Sequence, residues 1–158
     1  MNPATGQVVV AGDFDDIRSK QIRFLEEAAR LGPLTVLLWT DDSIRQRTGK
    51  TPKFPLAERQ YFLERIRYVH RVVATAAPDS FDTLPPVEGG EPKTWVVPEA
   101  QGSAAKRAFC LARGWDYRVL NDRDLAHRLA KAGRELVERE YNQAAMATQI
   151  MQLYQPAT

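Results

Sequence analysis

Histidine and cysteine are nearly missing from this 158-residue chain, which has two histidines, His70 and His127, and one cysteine, Cys110. A lone cysteine forms no internal disulfide. Its Ala-rich helical surroundings read as a buried, reduced thiol, not a nucleophile, and a reducing cytoplasm is the expected compartment. With no Cys pair and no His-x-x-His spacing, a transition-metal site is not expected, and both histidines read as structural or exposed. Long apolar runs are absent too. Nothing approaches the roughly 18 residues of a membrane span, and no charged-then-apolar leader opens the chain, so neither a membrane nor secretion is expected. Charge of one sign is equally lacking: 22 basic and 20 acidic residues leave a formal charge of +2. Such a balance gives no global field to recruit nucleic acid or an anionic membrane, so any basic site is local.

What the chain does have is an alternation of short apolar runs with amphipathic stretches, the signature of an open parallel sheet covered by helices. Gln7 to Ala11 reads as a first strand and Leu34 to Trp39 as a second, fully buried one. Between them Ile22, Leu25, Ala28, Ala29 and Leu31 recur with helical period until Gly32-Pro33, in a helix expected to start just after Asp15. Thr40 to Pro55 reads as a polar connection, Leu56 to Tyr68 as a helix and Arg71 to Thr75 as a third strand. Pro78 to Lys93 holds four of the ten prolines and two adjacent glycines, which marks a long loop and the best candidate for mobility. Trp95 to Val97 is a short strand, Ser103 to Arg113 a helix ended by Gly114, and Tyr117 to Leu120 the last strand. The remainder is helical from Asp122, with Asn142 the favoured break. The expected architecture is a three-layer, Rossmann-like α/β domain over 1–121 with a mainly parallel sheet, and a helical extension over 122–158 packed on it.

The turn after the first strand reads Gly12-Asp13-Phe14-Asp15, followed by Asp16-Ile17-Arg18-Ser19-Lys20-Gln21. Further on come Thr40-Asp41-Asp42, then Gly49-Lys50 through Lys53 to Pro55-Leu56-Ala57-Glu58-Arg59, then Arg67-Tyr68-Val69. In order and spacing these stretches resemble the cytidylyltransferase-like nucleotidyltransferases, a group that includes glycerol-3-phosphate cytidylyltransferases and the nucleotidyl-transferring domain of ADP-heptose synthase. The resemblance covers roughly the first half of the chain. It implies a phosphate-binding turn at Gly12, Asp13, Phe14 and Asp15, lysines after the second strand that neutralise phosphate (Lys50 and Lys53), and Arg59 near a substrate phosphate. Arg18 and Lys20 are candidate replacements for cationic groups at the start of the first helix. No resident cofactor is implied; Mg²⁺ would arrive with a nucleotide.

The same resemblance exposes three departures. The G-x-F-D-x-x-H-x-G-H motif has lost both histidines, with Arg18 and Gln21 in their places and Lys20 where the glycine would be. The polar segment after the fourth strand reads Val96-Val97-Pro98-Glu99, and the Ser/Thr-rich turn after the last strand reads Asn121-Asp122-Arg123-Asp124. Asp122 there is expected to cap the terminal helix and to disfavour a triphosphate. The tail from Gly133 through Tyr154 also resembles, weakly, the terminal helices of two-domain glycosyltransferases, against a plain sheet-covering helix. Three functions therefore stand: a degenerate domain binding CTP, ATP, a phosphorylated sugar or a protein partner with little or no transfer; an active nucleotidyltransferase with an altered site and no assignable catalytic residue; and a structural or protein-interaction module without ligand, its partner a second copy or another protein.

Overall fold

The computed structural model describes residues 6–87, 92–140 and 146–148, without the side chains at 122–125, 129 and 140. In chain order it contains β1 (Val8–Gly12), α1 (Ser19–Ala29), β2 (Leu34–Trp39), α2 (Asp41–Thr48), α3 (Leu56–Glu64), β3 (Arg71–Thr75), β4 (Thr94–Pro98), a 3-10 turn (Glu99–Gln101), α4 (Ala104–Ala112), β5 (Asp116–Leu120) and α5 (Asp122–Glu140). All strand pairs are parallel, in the order β3-β2-β1-β4-β5, so the sheet is the open Rossmann-like one expected. By contacts the chain divides into two compact units, Met1–Asp122 and Arg123–Thr158. The second unit is built on the amphipathic α5, whose Lys131 and Glu135 lie 3.9 Å apart as an exposed ion pair one turn apart.

Strand periodicity sorts the core of the first unit into two layers. Val8, Val10, Leu34, Val36, Leu38 and Val96 pack on one face with Leu25 and Ala28 of α1, Leu63 of α3 and Ile66. Val9, Leu37, Trp39, Trp95 and Val97 pack on the other with Cys110 of α4, Ile44 of α2 and Leu84. All six residues of β2 are buried, as its unbroken apolar run implies. Cys110 is wholly buried, and desolvation pushes its thiol up to about 11, with Arg113 pulling the other way. At neutral pH it is a core group and not a thiolate.

The strands shift from their expected ends by a residue at most, and the larger departures from the boundaries read in the sequence lie in α1, α2 and α3. α1 starts at Ser19, because Gln21 Oε1 accepts the Arg18 amide at 3.1 Å and fixes the entry there; residues 16–18 stay outside the helix. α2 occupies half of the stretch read as a polar connection. Thr40 caps it by accepting the Ser43 amide, Asp41 and Asp42 sit in its first turn, and Gly49 ends it at φ +69°. α3 stops at Glu64, four residues before Tyr68, with Arg65 as its C-cap. α5 begins at Asp122, where the sequence reading starts it; the Asp122 side chain, expected there as a cap, and Asn142 lie outside what is described.

Gly32 closes the turn from α1 into β2 at φ +152°, a backbone region reserved for glycine, and a Cβ built there would lie 2.6 Å from the Gly6 carbonyl oxygen. Gly114 ends α4 at φ +68° with open space around the same position. Replacing Gly32 by Ala is expected to lower unfolding free energy by about 2 to 4 kcal/mol, against about 1 kcal/mol for Gly114→Ala. Urea denaturation of the two variants checks this; equal losses would contradict it.

Candidate functional site

The sheet opens where its topology reverses. β1 pairs with β2 along its whole length, Val8 with Leu34 through Gly12 with Leu38. With β4 it pairs only at Val8–Thr94 and Val9–Trp95. Beyond those two positions the carboxyl halves of β1 and β4 part, at the switch point between the two halves of the sheet. Open α/β sheets bind ligands in such a crevice, outside the carboxyl ends of the strands. A cavity of about 360 Å³ occupies it. Its walls are Ala11, Gly12 and Asp13 after β1, Trp39 at the end of β2, Ser43, Ile44, Arg47 and Thr48 of α2, and Trp95 and Val97 of β4. Ala77, Phe81, Thr83, Gln101 and Lys106 complete it. The lining combines aromatic and aliphatic surface with hydroxyls and two cations, the composition of a small-molecule pocket.

The Gly12–Asp15 turn is held by backbone and carboxylate contacts. Gly12 has no room for a Cβ without pressing the Phe14 ring, 3.3 Å from that position, and Phe14 itself adopts φ +46°. Asp15 accepts the amides of Lys53 at 2.7 Å and Phe54 at 2.9 Å, tying the turn to the segment before α3. Asp16 gathers two cations, Arg18 at 2.8 Å and Lys53 at 3.7 Å. The Arg18 hydrogen bond, helped by the charges of Arg18 and Lys53, holds the Asp16 carboxyl below its usual range against desolvation.

Arg59 is the centre of this framework. Only 2% exposed, it donates Nε to the Phe54 carbonyl at 3.0 Å, Nη1 to the Asp13 carbonyl at 2.6 Å and to the Trp39 carbonyl at 3.1 Å, and Nη2 to the Trp39 carbonyl at 3.0 Å and Asp41 Oδ1 at 2.5 Å. A guanidinium has five N–H donors, so each one meets a protein acceptor. Burial opposes ionisation of Asp41, but the Arg59 hydrogen bond, the Leu56 amide and the charges of Arg59 and Arg45 outweigh it and lower its pKa.

The structure thus distributes the sequence-derived residues over three places. Gly12 and Asp13 line the main cavity. Phe14, Asp15 and Arg59 line a second hollow of about 260 Å³ with Asp16, Ile17, Phe54, Glu58 and Phe62. Arg18, Lys20, Lys50 and Lys53 are exposed and line neither cavity. Among the described residues no group of three His, Cys, Asp or Glu side chains is placed to hold a metal ion, and no helix is long and apolar enough to cross a membrane. Residues that the sequence did not single out also line the main cavity: Arg47 from the unrecognised α2, Trp95, and Lys106 on the first turn of α4. The α2 residues had a signal, a Thr-Asp-Asp start with a glycine stop.

An all-parallel sheet with a cavity at its switch point defines a Rossmann-like α/β unit. The chain is similar to curated FAD synthases: 40% identical over 68 residues to that of Pyrococcus horikoshii, 40% over 68 residues to that of Pyrococcus abyssi, and 36% over 67 residues to that of Thermococcus kodakarensis. Each match takes in 42% of this chain and 45 to 46% of the relative, so the chain spans about half the length of the curated relatives it matches. In fold it is similar to the lipopolysaccharide core biosynthesis protein of Thermoplasma volcanium, with a TM-score of 0.58, 22% identity, and coverage of 73% of this chain and 93% of that one. No family model matches. These similarities support a relation to the cytidylyltransferase-like nucleotidyltransferases at the level of the superfamily.

Removing the buried guanidinium leaves the Asp13, Trp39 and Phe54 carbonyls short of donors and strands the Asp41 carboxylate. Arg59→Ala is expected to cost about 3 kcal/mol or more, with Arg59→Lys recovering only part because an ammonium cannot reach the same acceptors. The Asp41 pKa is lower folded than unfolded, so its contribution is complete above the unfolded value of about 3.8 and is lost as pH falls through the folded one. Denaturation followed from neutral pH downward is expected to show that acid loss in the wild type and a shallower one in Arg59→Ala. An Arg59→Ala protein of wild-type stability would refute the clasp.

Proposed function

We propose that this chain is a nucleotide-binding domain on a nucleotidyltransferase scaffold in which the transfer chemistry is weak or lost. The observation that carries the binding half is the crevice between β1 and β4, with the Gly12 turn on its wall. FAD, which names the relatives' product, joins an adenosine and a flavin through a diphosphate, so adenine nucleotides stand beside cytidine nucleotides as ligands. Aromatic walls at Trp39 and Trp95 suit a planar base, and Arg47 with Lys106 suit its phosphate.

The weakened chemistry rests on what stands in place of the two histidines. Arg18 is 76% exposed and paired with Asp16, while Gln21 spends its carbonyl on the start of α1. Neither arrangement supplies a pair of donors aimed at a transferring phosphate. Losing such donors costs about 2.7 to 4 kcal/mol of transition-state stabilisation each. Arg59 acts here as a positioning residue that shapes the Gly12–Asp15 turn; on the segment before α3, Lys50 is exposed, and Lys53 would have to leave Asp16, 3.7 Å away, to meet a phosphate. A Mg²⁺ would come with the nucleotide, bound through phosphate and water.

An active enzyme is the second reading, favoured by the 40% identity to proteins named as synthases. In-line attack by an already ionised phosphate needs positioning and charge neutralisation more than a general base, so it survives loss of the histidines in principle.

Calorimetry with AMP, CMP, ATP and CTP, with and without Mg²⁺, is expected to show saturable binding of at least one nucleotide, weakened by about 1 kcal/mol in Arg47→Ala. A pyrophosphate-release assay with ATP or CTP and FMN, glycerol 3-phosphate or sugar 1-phosphates is expected to stay at background. Robust turnover would replace this reading with the second; no binding of any nucleotide would remove both.

A further inference from the structure

One carboxylate stands where a ligand anion would be expected. Lys106 is 8% exposed and lines the main cavity, its ammonium 5.9 Å from the centre of the Trp95 ring. A buried ammonium requires an anion. Its partner is Asp82, whose Oδ1 accepts Lys106 Nζ at 3.2 Å and also Ser103 Oγ at 2.6 Å. Ser103 is itself fixed, donating its amide to the Tyr117 hydroxyl at 3.1 Å and accepting the Lys106 amide at 3.1 Å. Asp82 is 41% exposed, on the segment between β3 and β4 that supplies Ala77, Phe81 and Thr83 to the cavity wall. The Ser103 and Lys106 hydrogen bonds lower its pKa, so it stays ionised at neutral pH. The same segment is pinned a second time where the Arg47 guanidinium lies 4.0 Å above the Phe81 ring.

We propose that Lys106 and Ser103 form a phosphate subsite of the cavity and that the Asp82 carboxylate occupies it in cis, as a counter-ion which a phosphate displaces. An ammonium and a hydroxyl converging on one carboxylate oxygen have the donor set a phosphate oxygen takes, and phosphate brings more charge and more acceptors than a carboxylate. Displacement frees the Asp82 side chain to water, which its exposure allows, and loosens one contact of the Phe81 segment, which is otherwise held by Arg47, by the Ala77 amide on Ser43 Oγ at 3.1 Å and by the buried Leu84. Ligand entry and movement of that segment are then one event, and ligands without a phosphate leave it closed. The proposal rests on reading the cavity as a ligand site, but not on the identity of the base. An alternative in which the Asp82 contact only anchors the loop predicts no competition with anions.

The test is an inorganic phosphate titration at constant ionic strength, read on the ¹⁵N-indole signals of Trp39 and Trp95 in the cavity wall and Trp115 outside it. Asp82→Asn is expected to bind phosphate about tenfold tighter than wild type, the worth of one charge-assisted contact, with Trp95 shifting and Trp115 still. Asp82→Ser serves equally if the asparagine variant folds poorly. Lys106→Met in the Asp82→Asn background is expected to abolish the gain. Asp116→Asn, which removes the same charge from an exposed pair with Arg118, is expected to match wild type. No tightening in either Asp82 variant, an equal gain in Asp116→Asn, or a gain that survives Lys106→Met would each overturn the subsite. AMP, CMP, ATP and CTP are titrated alongside. Binding of any of them by wild type without an Asp82→Asn phosphate gain sinks this proposal and spares the nucleotide reading, whereas the gain with no nucleotide bound does the reverse.

Discussion

A single buried guanidinium sets the geometry of the carboxyl edge of the sheet. Arg59 on α3 reaches under the turn after β1, the end of β2 and the start of α2, and bonds to a group in each: Asp13, Trp39 and Asp41. Its burial is tolerable because every donor is met and the one carboxylate partner stays ionised. The clasp holds two of the cavity's wall residues, Asp13 and Trp39, through their carbonyls. It leaves their side chains uncommitted by the contact. Rigid walls with adaptable surfaces are what a binding crevice needs.

From that constraint the distribution of charge follows. Two cations beside the Gly12 turn are drawn outward: Arg18, and Lys53 from the segment before α3, share Asp16 at the surface. The cations that reach the cavity come from elements on the other side of the sheet, Arg47 from α2 and Lys106 from α4. An anion entering the crevice is therefore met from the α2 and α4 side. The start of α1, where the resembling family has its histidines, is closed locally by Gln21 on the Arg18 amide.

Much of the fold was readable from local pattern, because buried parallel strands advertise themselves as unbroken apolar runs. Leu34–Trp39 is the clearest instance, buried at all six positions. α2 was missed since Asp, Ser, Arg, Gln and Thr give it almost no apolar stripe; only its caps mark it as a helix. The apolar residues after Glu64 continue a helical period while serving the turn into β3, so the pattern overstates the length of α3. The site was less legible. Arg59 carried the family's spacing for a phosphate contact, yet nothing in a linear pattern tells a guanidinium that binds ligand from one that binds backbone. Asp82, Ser103 and Lys106 are 21 and 24 positions apart in sequence and meet only because the loop from β3 returns over α4.

The most direct measurement is a crystal structure of the chain grown or soaked with AMP or CMP. The account predicts the base between Trp39 and Trp95 in the crevice where β1 and β4 part, with its phosphate toward Lys106 and Arg47. Nucleotide density confined to the exposed start of α1, beside Arg18 and Lys20, with the crevice empty, would contradict it.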